Sequence, residues 1–208
     1  MKRKKKKLYC AFIDFEKAFD KVWRDGLWCK LLLNNINGKM FQIIQNMYKN
    51  NKSNIVYNND KSEFFPCDNG VRQVENMSPY LFALFLKDLE NFMENKNSTD
   101  LNTITEDIDT TLGLCIKLFA LLYADDTVLM SELPEELQRE LNRFHEYCTT
   151  WKLKVNVEKT KILCFASGRL PNNLYFRYDN RDIEIVEEFN YLGILLNRTG
   201  NFNLAIKA

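Results

Sequence analysis

The chain has a single histidine, His145, in 208 residues. A Ser-His-Asp or Cys-His engine therefore has few ways to be assembled. The six cysteines, Cys10, Cys29, Cys67, Cys115, Cys148 and Cys164, are scattered and form no C-x-x-C pair. That spacing argues against a Cys/His zinc site. It fits buried free thiols in a reducing compartment, nucleus or cytoplasm. No secretory h-region and no apolar run of about 18 residues occurs, which argues against secretion and against a membrane span. Neither charge sign dominates, since the net charge is +1. Any nucleic-acid contact must come from local patches. There is no internal repeat.

What is present is an ordinary globular balance, 46% hydrophobic and 27% charged. The length suffices for one sizeable domain, or for one domain and a piece of another. A basic run, Lys2 to Lys7, opens the chain. It reads first as a solvated flank, because an apolar strand pattern starts at once at Leu8. A nuclear-import signal and a phosphate-binding arm are the alternatives.

Leu8 to Ile13 is expected as a buried strand. Helical spacing runs over Glu16 to Leu33 and over Met40 to Tyr48. Asn58-Asn59-Asp60 signals a hairpin between 54–57 and 63–66. Ser78, as N-cap, and Pro79, as first helical residue, start a helix to about Met93. The polar stretch 94–113 reads as a loop. Strands are expected at 115–122, 127–130 and 161–165, a helix at 134–151, and strand-like pieces at 174–178, 183–186 and 191–196. Strands and hairpins mixed with helices predict an α+β fold, a sheet with helices packed on one face.

The chemistry lies in carboxylates. LLYADDTVLM, residues 121–130, sets Asp125 and Asp126 inside an apolar run. Buried carboxylates need a partner, a hydrogen bond or a metal, although Asp pairs also occur simply because Asp suits turns. The first strand ends at Asp14. If the two strands are neighbours, three carboxylates meet at one sheet edge. Oxygen ligands without His or Cys favour Mg²⁺ or Mn²⁺. Two such ions roughly 3.5–4 Å apart serve phosphoryl transfer.

Five segments now stand in order: AFIDFEKAFDKV (11–22), GVRQ (70–73) with Ser78-Pro79 and Leu81-Phe82, YADD (123–126), LKVNVEKTK (153–161) and FNYLG (189–193). Together they resemble the reverse transcriptase domain of non-LTR (LINE-type) retrotransposons over almost the whole chain. The resemblance implies the palm of a right-hand polymerase, a mainly antiparallel sheet backed by helices, over residues 1–166 with partial fingers. Residues 167–208 would hold the primer-grip hairpin and the start of a thumb connection. It implies RNA-directed DNA synthesis with two Mg²⁺ or Mn²⁺ ions, an RNA template, a DNA primer and deoxynucleoside triphosphates, and no membrane partner.

The resemblance also implies roles. Asp14 and Asp125 are the principal metal ligands, Asp126 the third carboxylate, and the Phe15 carbonyl completes a metal shell. Phe19 is an aromatic gate beneath the incoming sugar; its helical spacing equally suits core packing. Gln73 lies near the nucleotide and template, or is a plain surface amide. Lys159 neutralises or protonates leaving pyrophosphate, or is a solvated lysine; Lys161 is its neighbour. Tyr123 packs beside the primer terminus, and Tyr191, Leu192 and Gly193 turn the hairpin that holds the primer. Asp20 reads as a helix-face or capping residue.

Two positions depart from the pattern. Val74 stands where the family has glycine, and valine disfavours positive φ; keeping the family conformation would strain it by about 1–3 kcal/mol. Tyr80 replaces a smaller aliphatic residue. The chain is also expected to lack most of the fingers, the thumb and an endonuclease. Besides the polymerase, a non-catalytic palm remnant that binds nucleic acid weakly and a DNA-templated polymerase therefore stand as alternatives.

Overall fold

A computed structural model describes residues 7–72, 76–94, 120–123, 126–166 and 170–200, with backbone alone at 94, 120–123 and 126. They fall into two compact units. The first takes residues 1–15, 90–148 and 155–208, and the second takes 16–89 and 149–154.

The chain runs β1 (Leu8–Ile13), α1 (Arg24–Leu33), α2 (Gly38–Met47), and the two-residue strands β2 (Lys52–Ser53), β3 (Val56–Tyr57), β4 (Asp60–Lys61) and β5 (Phe65–Pro66). Then come α3 (Ser78–Leu86), α4 (Leu89–Glu94), β6 (Ala120–Tyr123), β7 (Asp126–Ser131), α5 (Pro134–Thr150) and β8 (Lys161–Phe165). β9 (Phe176–Tyr178), β10 (Arg181–Val186), β11 (Glu188–Tyr191) and β12 (Ile194–Asn197) close it. No helix of the described residues is long and apolar enough to cross a membrane.

The first unit is built on a six-stranded sheet ordered β6-β7-β1-β8-β10-β9. Every pairing is antiparallel except β8 with β10. β1 is covered on both faces, which explains its unbroken apolar run. Its even positions, Cys10 and Phe12, join Val128, Met130 and Leu163 in one buried cluster. The β11–β12 hairpin packs there, with Phe189 stacked 4.4 Å and Tyr191 tilted 5.2 Å from the Phe12 ring. α5 buries Leu137, Leu141, Phe144, Tyr147 and Cys148, spaced three and four apart. Phe144 meets Phe15 and Tyr178.

The second unit packs α1 and α3 around Leu27, Leu31, Phe82, Phe85 and Leu86. Here the sequence expectation needs correction. Residues 16–21 are turns, 22 and 23 are irregular, and the first helix begins at Arg24. Lys17 has φ +53°, and the carbonyls of Phe19 and Val22 accept from Val71 and Gly70. They are therefore not spent on an α-helix. The helix expected from Ser78 to Met93 is broken at Lys87-Asp88, where Asp88 pairs with the buried Lys30 of α1. Ser78 is not the cap: Met77 is, and the Ser78 hydroxyl donates to the Arg72 carbonyl. A hairpin forms through Asn58 (φ +47°) and Asn59 (φ +68°), the left-handed pair of a tight two-residue turn, but its arms are 56–57 and 60–61, and Phe65-Pro66 pairs with Lys52-Ser53 instead. The piece expected over 191–196 is instead a hairpin bent at Leu192-Gly193. The loop expected over 94–113 and the start of the strand over 115–122 lie outside the described residues.

Candidate active site

Asp14 follows the last residue of β1. The β1–β7 register ends at Ile13 opposite Thr127. One step further, it sets position 14 opposite position 126. Two-residue alternation assigns position 14 to the face that carries Phe12. Tyr123 pairs with Asp126 across the β6–β7 ladder, with only Ala124 and Asp125 between them in sequence. Asp125 lies outside the described residues.

The backbone of Asp14 is held by the fourth motif. Its carbonyl accepts from Asn156 N–H at 2.8 Å, and its N–H donates to Thr160 Oγ1 at 3.2 Å. Thr160 is fully buried. Phe15 faces Val155 in an antiparallel bridge. The flanking ladder bonds come from Asn156 N–H to Asp14 and from Glu16 N–H to the Lys154 carbonyl. Phe15 is thus the non-hydrogen-bonded pair of that ladder, and its own C=O points away from Val155, toward the β7 side. Between the pair Phe12–Lys161 and the bridge Phe15–Val155, three steps on the first strand answer six on its partner. The surplus residues form the turn Asn156 to Thr160, closed by Thr160 N–H on the Asn156 carbonyl.

That turn exposes Lys159, which makes no ion pair among the described residues, and its N–H donates to Asn156 Oδ1. Lys161 is engaged instead: its ammonium binds Glu184 at 2.7 Å and the Glu158 carbonyl. Of the two lysines, Lys159 is the one available to a ligand. Leu192 (φ +50°) and Gly193 (φ +79°) turn the β11–β12 hairpin. Leu192 is exposed, while Tyr191 is half-buried against Phe12.

In the second unit, Phe19 is half-buried with its ring 5.1 Å from the fully buried Phe82. It packs on the core by one face and stays partly open, so both of its readings survive. Asp20 is exposed and lies in the turn segment, not on a helix. Gly70 has φ +80°, and a Cβ there would sit 2.4 Å from the Asp20 carbonyl oxygen, so only glycine fits. Gln73 and Val74 lie outside the described residues.

Among the described residues no group of three or more His, Cys, Asp or Glu side chains is gathered for a metal. Positions 14 and 126, opposite one another in the register, and the Phe15 carbonyl are nonetheless oxygen donors of the kind Mg²⁺ and Mn²⁺ take. The donors fit the ion. Motif reading missed Thr160 and Asn156. A threonine between two lysines looks like surface, and only the Asn-to-Thr turn spacing hinted otherwise.

Comparison with known proteins places almost the whole chain. The family described as reverse transcriptase (RNA-dependent DNA polymerase) matches residues 1–196. The chain is 25% identical over 198 residues to the RNA-directed DNA polymerase from mobile element jockey of Drosophila funebris, covering 92% of this chain and 20% of that protein. It is 28% identical over 209 residues to the probable RNA-directed DNA polymerase from transposon BS of Drosophila melanogaster, covering 97% and 22%. It therefore spans about a fifth of the length of these curated relatives. The structure of apo telomerase from Candida tropicalis superposes with a TM-score of 0.59 at 12% identity, covering 96% of this chain and 36% of that one. The fold is the polymerase palm, and the chain belongs to the reverse transcriptase family.

Proposed function

We propose that this chain is the catalytic palm of an RNA-directed DNA polymerase, which adds deoxynucleotides to a primer 3′ end on an RNA template. The observation that carries the reading is the register setting Asp14 opposite Asp126, beside the outward Phe15 carbonyl. Asp14, Asp125, Asp126 and the Phe15 carbonyl would hold two Mg²⁺ or Mn²⁺ ions. Bound there, such ions supply neutralisation of the triphosphate and activation of the attacking oxygen. Phe19 would support the incoming sugar and exclude a 2′-hydroxyl, with Gln73 near the base. Tyr123, Tyr191, Leu192 and Gly193 would seat the primer. The primer 3′-oxygen attacks the α-phosphate and pyrophosphate leaves. Lys159, exposed and unpaired among the described residues, meets the charge that develops on it. Functionally we divide the chain into the palm, residues 1–166, and the primer-grip region, residues 167–208. We place its work in the nucleus or cytoplasm.

Mn²⁺ titration followed by primer extension tests the reading. Wild-type chain should bind Mn²⁺ and extend a primer. Asp14→Asn and Asp126→Asn should each weaken the metal by at least about tenfold and abolish extension. No metal binding and no extension by the wild type would instead favour the non-catalytic remnant that Val74 suggests.

A further inference from the structure

The first and second motifs meet at a junction that motif reading does not assign. Gly70 N–H donates to the Val22 carbonyl at 2.9 Å and Val71 N–H to the Phe19 carbonyl at 2.8 Å. One side chain spans this seam. Arg24 donates from Nε to the Gly70 carbonyl at 2.9 Å, from Nη2 to the Asn69 carbonyl at 3.1 Å, and from Nη1 to the Tyr48 carbonyl at 3.1 Å. Its guanidinium also lies 5.2 Å from the centroid of the buried Tyr48 ring. Arg72 approaches the same ring at 5.9 Å and donates to the Met47 carbonyl and Asn51 Oδ1.

The Met47 and Tyr48 carbonyls belong to the C-terminal end of α2, whose last turn carries no basic residue. Helix ends leave carbonyls unsatisfied and carry partial negative charge. Two arginines from distant segments supply what that turn lacks. A planar fork holds three separated carbonyls in fixed directions, whereas an ammonium presents its three donors from one point.

Building on the function proposed above, we propose that Arg24 is a positioning residue. Its guanidinium fastens the Asn69-Gly70 backbone to the segment that carries Phe19, so that Phe19 keeps its place on the nucleotide side. It acts through the carbonyls of residues 48, 69 and 70 and touches no reacting atom.

The test uses the full chain with Arg24→Gln and Arg24→Lys. Amide hydrogen exchange at Gly70 and Val71 should quicken by about tenfold in both variants. Exchange at Ala11 and Ile162 of the sheet should stay unchanged. In primer extension the nucleotide KM should rise by about tenfold with kcat held within about twofold. Lysine keeps the charge, so failure of Arg24→Lys to rescue marks the fork itself as the active feature. Unchanged exchange at Gly70 and Val71, wild-type behaviour of Arg24→Lys, or a fall in kcat with KM unmoved would each overturn the proposal. If the wild type extends no primer, the functional reading fails separately, and the exchange measurement alone upholds or overturns the Arg24 clamp.

Discussion

Glu140→Gln should stabilise this protein, and more so the higher the pH. Glu140 lies on the inner face of α5, 5% exposed. Its Oε2 is buried without a hydrogen-bond partner. Burial pushes its carboxyl up from 4.5 to about 8, and Glu136 one turn earlier adds to the rise, while Arg143 and Arg139 oppose it. Glu136 is itself buried and bonded to Ser131 Oγ at 3.1 Å, so it does not turn away. A carboxyl whose folded pKa is raised adds stability that is whole below the unfolded value and is lost as pH rises through the folded one. The window therefore runs from about pH 4.5 to about pH 8. At about 1.4 kcal/mol per pH unit the full loss is on the order of 5 kcal/mol, and roughly 3 kcal/mol of it has accrued by pH 7. That is a large share of an ordinary domain's stability. Glutamine keeps the shape and cannot ionise. Urea denaturation of both proteins from pH 4.5 to 8.5 is the assay. The curves should nearly meet at the acid end and separate steadily toward pH 8, with the variant more stable. Parallel curves would refute the reasoning, because they would mean that Glu140 ionises as easily folded as unfolded.

Thr160→Val removes the acceptor of the Asp14 N–H while keeping the shape. It should cost about 1–3 kcal/mol and weaken Mn²⁺ binding by several-fold, with Thr160→Ser restoring both; calorimetric titration decides it, and wild-type metal affinity in the valine variant would sink the role. Gly193→Val should cost about 1 kcal/mol or more through its φ of +79° alone, since nothing lies within 4 Å of a Cβ there. Gly193→Asn should be nearly neutral, and urea midpoints of the two variants separate backbone strain from crowding.

The elements that sequence reading places well have one strong period and local causes. β1, α5 and β8 were legible because a continuous apolar run or a three-four repeat has one comfortable conformation. Residues 16–23 were not. Phe19 and Val22 carry helical spacing, yet their carbonyls are engaged by a segment some fifty residues later. The break at Lys87-Asp88 likewise answers to Lys30, far off in sequence. In the candidate site the acidic positions could be read, because a carboxylate inside an apolar run is conspicuous. Arg24, Asn156 and Thr160 could not. Each acts through a backbone group, and a backbone group looks the same at every residue.

The central place of β1 also constrains how the molecule can be made. Its register partners begin only at residue 127 on one side and end at residue 165 on the other. A chain that leaves the ribosome from its N-terminus presents an apolar strand long before either neighbour exists. Pairings so distant in sequence close slowly. Asp14 takes its backbone partners from residues 156 and 160, so its backbone is fixed only once that late segment has been made. Until then β1 is a bare apolar strand, open to chaperones or to another nascent copy.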